Sequence, residues 1–145
     1  ASLVNSGFIC HQLPLGNRKT EMVYRLDDPF CRFYLTFVED NTDHHFWQNS
    51  RNDGRIAAWR GLSFEELCMN NIDKIKDALR IGGVLSKETT ESIKADDTGA
   101  GTQIDLVIIR NDNIVNLCEI KFTTSPYTID SNYYDLLQRR IDRLR

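Results

Sequence analysis

Asp105, Glu119 and Lys121 stand in GTQIDLVIIRNDNIVNLCEIKF, residues 101–122, a stretch otherwise dominated by apolar residues suited to a buried sheet. Two carboxylates and an amine in such a setting are costly unless paired, because a low-dielectric interior disfavours each charge. Alternation predicts strands over IDLVIIR and IVNLCEIKF, and Asn111-Asp112-Asn113 fits a three-residue hairpin loop because Asn and Asp tolerate left-handed backbone. That loop sets Arg110 opposite Ile114, Val107 opposite Leu117, Asp105 opposite Glu119 and Gln103 opposite Lys121. The two acids then share one face, with roughly 5 Å between their Cβ atoms. Like charges so placed repel, and a hard divalent cation, Mg²⁺ or Mn²⁺, is the natural remedy. Lys121 lies on the same face, where its ammonium could orient a water or stabilise charge developing on a phosphate. The chemistry such a trio suits is metal-assisted hydrolysis of a phosphodiester. Spacing alone also fits solvent-facing charges or a salt bridge.

The elements that must position these residues are legible in outline. Gly61-Leu62-Ser63 is expected to open a helix through FEELCMNNIDKIKDALRI, with Phe64, Leu67, Cys68, Ile72, Ile75 and Leu79 as its apolar stripe. Ser63 and Glu66 have capping-box spacing, which gives Glu66 a structural task and leaves Glu65 without one. Gly82-Gly83 is the expected stop. VLSKETTESIKA reads as a strand, residues 96–101 as a turn, and TIDSNYYDLLQRRIDRLR as a helix with Ile129, Tyr133, Leu136, Leu137, Ile141 and Leu144 apolar. Upstream, LVNSGFI reads as the tail of a helix ending at Asn5-Ser6-Gly7. FICHQLPL and TEMVYRL flank Gly16-Asn17-Arg18-Lys19 as a hairpin. Asp27-Asp28-Pro29 is a helix start for the aromatic-rich PFCRFYLTFVED, and HHFWQNSRNDGRIAAWRG continues as helix and polar loop.

The 145 residues, 41% hydrophobic and 27% charged, suit one principal core in an ordinary globular chain. No apolar run approaches the roughly 20 residues of a membrane span, so no membrane partner is expected. Cys10, Cys31, Cys68 and Cys118 are widely spaced with no C-x-x-C pair, and read as free buried thiols in a reducing cytoplasm. His44-His45 lacks metal-site spacing. A net charge of −3 argues against a protein that coats nucleic acid non-specifically, but permits a local basic patch. QRRIDRLR, with Arg139 and Arg140, is such a concentration; it suits either a nucleic-acid backbone or a solvated helix face.

Asp105 followed by Glu119-Ile120-Lys121 on a hairpin, after a helix bearing Glu65, resembles the PD-(D/E)XK superfamily of restriction-endonuclease-like nucleases. The proline expected before the first Asp is replaced by Ile104. YRLDDPFCRFYLTFVED, WRGLSFEELC and GTQIDLVIIRNDNIVNLCEIKF, in that order, resemble the C-terminal half of a group of prokaryotic AAA+-type ATPases. In that group a P-loop domain is followed by a winged helix and a nuclease-like domain. The resemblance implies an α/β fold, a restriction-endonuclease-like mixed sheet flanked by helices and preceded by a winged-helix remnant. The implied divisions are residues 1–27 for the recognition-helix tail and wing, 28–60 for a helical connector and 61–145 for the nuclease-like domain. It further implies Asp105 and Glu119 as metal ligands, Lys121 as the catalytic amine, and Glu65 as an acid reaching the metal through water. Gln103 would hold Lys121 or the scissile phosphate. The implied partners are nucleic acid, with DNA foremost, and the protein's own ATPase domain. No G-x-x-x-x-G-K-[ST] loop is present, so ATP would belong to a preceding part of the protein.

Three functions of different class follow: a Mg²⁺-dependent endonuclease, a catalytically silent nucleic-acid-binding or regulatory module, and a protein-interaction domain using Trp47 and Trp59. Shared fold does not choose among them.

Overall fold

The computed structural model describes residues 2–13, 22–50, 53–93, 95 and 101–144. Among them the chain is mixed α/β, with two small antiparallel sheets and six helices. The loops expected at Gly16-Asn17-Arg18-Lys19 and at 96–100 lie outside the described residues.

The first helix, α1 (Ser2–Asn5), ends as its sequence suggests. Gly7 adopts φ +76°, and the Phe8 and Gly7 amides donate to the Leu3 and Val4 carbonyls, satisfying groups the helix end leaves open. β1 (Ile9–Gln12) then pairs antiparallel with β2 (Val23–Leu26) in the register Ile9 to Leu26. Asp28 caps α2 (Pro29–Phe37), its carboxylate accepting from the Cys31 amide at 2.7 Å. Proline at the first helical position costs nothing there, since that amide has no partner within the helix.

α3 (Phe46–Asn49) and α4 (Gly54–Met69) follow. The start of α4 corrects the expectation of a helix opening at Gly61-Leu62-Ser63. Asp53 is the cap, its carboxylate accepting from the Arg55 amide at 2.8 Å, and the helix runs straight through 61–63. Ser63 therefore has helical neighbours on both sides and makes no capping box. Glu66 is instead 2% exposed and pairs with Arg32 Nε of α2 at 3.3 Å. Asn70-Asn71 interrupts the long apolar stripe, and α5 (Ile72–Ala78) continues it. Gly82-Gly83 does not supply the left-handed residue that ends α5. Arg80 does, at φ 59°, with its amide and that of Ile81 donating to Asp77 and Lys76.

β3 (Ser86–Ile93), β4 (Thr102–Arg110) and β5 (Val115–Cys118) form a sheet in the order β3-β4-β5. The mixed sheet that was expected is, among the described residues, antiparallel throughout. Short connections between successive strands leave no room for the crossover that a parallel pair needs. The Asn-Asp-Asn tip forms as anticipated: Arg110 donates to Ile114 O at 2.9 Å and Asn113 takes φ 64°. Val107 pairs with Leu117 and Leu106 with Cys118, as the loop demands.

One face of β4 places Leu106 and Ile108, both fully buried, against Met69 and Ile81, with Ile72, Ile75, Cys118 and Ile120 around them. Lys76 of α5 reaches Glu88 of β3 at 3.2 Å across this layer. On the opposite face Val107 is fully buried, and Thr89 of β3, its register partner, donates to Leu13 O at 2.8 Å. β4 is thus covered on both sides, whereas β5 is a four-residue edge strand in this sheet. Trp59 packs edge-on against Phe33 and Phe37, each with ring centroids 5.8 Å away. Trp47 joins the same nest with half its surface exposed. The four cysteines are free, and no helix of the described residues is long and apolar enough to cross a membrane. α6 (Ser131–Leu144) closes the described chain.

Candidate functional site

The ladder between β4 and β5 stops at Leu106–Cys118, one position short of the acids. Continued, the register would pair Ile120 with Ile104; instead the Ile120 amide donates to Asp105 Oδ2 at 2.8 Å. The Asp105 side chain thereby takes the place of a backbone acceptor for the Ile120 amide. Glu119 falls where the register points, next to Asp105 and beyond the last paired residue.

Three groups converge on Glu119. Lys121 Nζ lies 2.7 Å from Oε1, the Tyr133 hydroxyl donates to the same oxygen at 2.9 Å, and Arg140 Nη1 donates to Oε2. The Lys121 ammonium also sits over the Tyr133 ring, 5.8 Å from its centroid, and Tyr127 packs edge-on against that ring. Phe122 packs edge-on against Phe64, tying the segment after Lys121 to α4 beside Glu65.

Electrostatics separate the three acids. Burial raises the Asp105 carboxyl above the usual carboxylate range; the Ile120 amide opposes this and the Glu119 charge adds to it. Burial likewise raises Glu65, with the Asp105 charge next and Glu119 contributing, while Lys121 pulls the other way. Glu119 is pushed up by burial, yet its hydrogen bonds to Lys121 and Tyr133, with the Lys121 and Arg140 charges, outweigh that and leave it low. Burial would lower Lys121, but its bond to Glu119 and that carboxylate's charge leave it raised. Asp105, Glu119, Lys121 and Glu65 thus share one electrostatic neighbourhood at one end of the sheet.

Two expected placements differ. Gln103 is exposed and pairs with Ser92 of β3; the ladder ends before it could meet Lys121, which is drawn to Glu119 instead. Arg140 turns inward to Glu119, with 19% of its side chain exposed, while Arg139 faces out. Tyr133 was read only as part of an apolar stripe. Its spacing of seven residues from Arg140 on an amphipathic helix was the available signal that both point the same way.

Comparison with protein-family models, curated proteins and solved structures finds no match to this chain. The donor chemistry suits a hard divalent ion, which one or two carboxylates with water can hold. Among the described residues, no three His, Cys, Asp or Glu side chains gather closely enough to form a metal cluster. Asp105 and Glu119 are therefore the pair to consider, and Glu119 would have to exchange one of its cationic partners.

Proposed function

We propose that this chain is a nuclease-like domain that hydrolyses nucleic-acid phosphodiesters, with DNA as substrate, as part of a larger cytoplasmic ATPase. The observation that carries the reading is the gathering of Glu119 and Lys121 near Asp105, just past the end of the β4–β5 ladder, with Glu65 in electrostatic range. Asp105 and Glu119 would hold Mg²⁺ or Mn²⁺, with Glu65 reaching it through water; the ion would neutralise phosphate charge and acidify a bound water. Asp105 is fixed for this by the Ile120 amide, which occupies one carboxylate oxygen and sets the direction of the other. Lys121 stands beside the same acids with an ammonium suited to a phosphate oxygen or an attacking water. Incubation of supercoiled plasmid with the domain and Mg²⁺ or Mn²⁺ is expected to yield nicked circles. Asp105→Asn is expected to reduce that rate by at least about a hundredfold. A folded domain that leaves plasmid intact across a wide range of both metals contradicts the enzymatic reading.

A second reading has its own support. Glu119 already carries Lys121, Arg140 and Tyr133, an arrangement that satisfies its charge without a metal. A catalytically silent module, binding nucleic acid or docking on the ATPase domain, accords with that closed cluster. It predicts DNA retention in a mobility-shift assay without nicking and without any calorimetric response to Mn²⁺.

A further inference from the structure

Arg140 and Tyr133 reach Glu119 from the same face of α6, two turns apart, and between them touch both of its oxygens. Leu136, Leu137 and Ile141 of α6 are half-buried. None of its described residues is buried, and it follows a segment, 119–130, that has no regular secondary structure and is exposed from 121 onward. The contacts to Glu119 add to the packing of these half-buried residues in seating the helix.

We propose that α6 is a strap that keeps the site closed, with Arg140 acting as a tethered cation on the Glu119 carboxylate that a divalent ion would share with Asp105. This rests on the metal-binding reading of Asp105 and Glu119. A guanidinium and a divalent ion on the same Glu119 carboxylate repel one another and draw on one negative charge, so each weakens the other's hold. The guanidinium has the advantage of being attached: its local concentration is fixed by the helix, whereas the ion arrives from solution. Tyr133 adds a neutral donor on Oε1 and places its ring beneath Lys121, so the strap fixes the amine as well as the acid. Lifting α6 frees both groups together.

Mn²⁺ titration of the full chain by calorimetry and by electron paramagnetic resonance tests the strap without reference to turnover. Arg140→Gln is expected to bind Mn²⁺ about tenfold tighter than the parent chain. Arg140→Lys, which keeps the charge, is expected to stay within about twofold of the parent. Tyr133→Phe removes a donor but no charge and is expected to give a smaller gain. If Arg140→Gln binds Mn²⁺ no tighter while Asp105→Asn abolishes binding, the strap is wrong and the metal-site reading stands. If no variant binds Mn²⁺, both fall. Should Arg140→Gln fail to fold, Tyr133→Phe decides: a tighter site supports the strap, and an unchanged one overturns it.

Discussion

Asp105 is placed where a carboxylate would not choose to ionise. Its burial and the neighbouring Glu119 charge favour the protonated form, so the fold raises its pKa above that of the unfolded chain. Stability from such a group is present below the unfolded value of about 4 and is lost as pH rises through the raised folded value. At neutral pH an ionised Asp105 therefore destabilises the fold. Asp105→Asn keeps an oxygen for the Ile120 amide, and is expected to stabilise the domain at pH 7 by roughly 1 kcal/mol. That gain should disappear below about pH 4, where Asp105 itself is neutral in both states. Glu119 has the opposite sign. Its folded pKa is lowered by Lys121, Tyr133 and Arg140 against the effect of burial, so its contribution is present above the unfolded value and lost as pH falls through the lowered one. Glu119→Gln should lower stability at pH 7 by about 1–3 kcal/mol, leaving two cations without their carboxylate. Urea unfolding of both variants across pH checks the pair of signs. The juxtaposition of the two acids was legible because it follows from local facts, a tight loop and side-chain alternation. The arrival of Arg140, 21 residues further on, was not, because no short-range rule reports on which way a distant helix turns.

Elements are delimited by their ends, and α4 and α5 show how those ends can mislead. Ser63 with Glu66 has the spacing of a capping box, but Asp53 had already begun the helix and the intervening residues are strong enough helix formers to carry Gly61. At the other end of the pair, Gly82-Gly83 marked the right neighbourhood and the wrong residue. Arg80 takes the left-handed position, where its Cβ is strained, while Gly82 serves a close approach: a Cβ there would lie 2.3 Å from Asp77 Oδ1. Arg80→Gly should therefore stabilise the domain by up to about 1 kcal/mol, read as a higher urea midpoint with unchanged slope. A lower midpoint would show that the Arg80 side chain contributes more than its backbone costs. The hairpin between β4 and β5 was predictable because loop and strands agree; its Asn113 meets the positive φ that a three-residue loop requires.

At the scale of the molecule, the Arg32–Glu66 pair and the aromatic nest of Phe33, Phe37, Trp47 and Trp59 join α2 to α4, and α4 carries Glu65 to the sheet. The apolar run around Asp105 foretold a buried sheet in an α/β chain, and the described β4 has buried residues on both faces. It did not foretell that Glu66 would be committed to this long-range fastening, since the pairing spans 34 residues. Function depends on whether Asp105 and Glu119 share a divalent ion once Arg140 yields. Anomalous diffraction from crystals soaked in Mn²⁺ addresses that directly. The account predicts a peak between the two carboxylates, with the Arg140 guanidinium withdrawn from Glu119. No peak there, with Glu119 still held by Lys121, Tyr133 and Arg140 at saturating Mn²⁺, would contradict it.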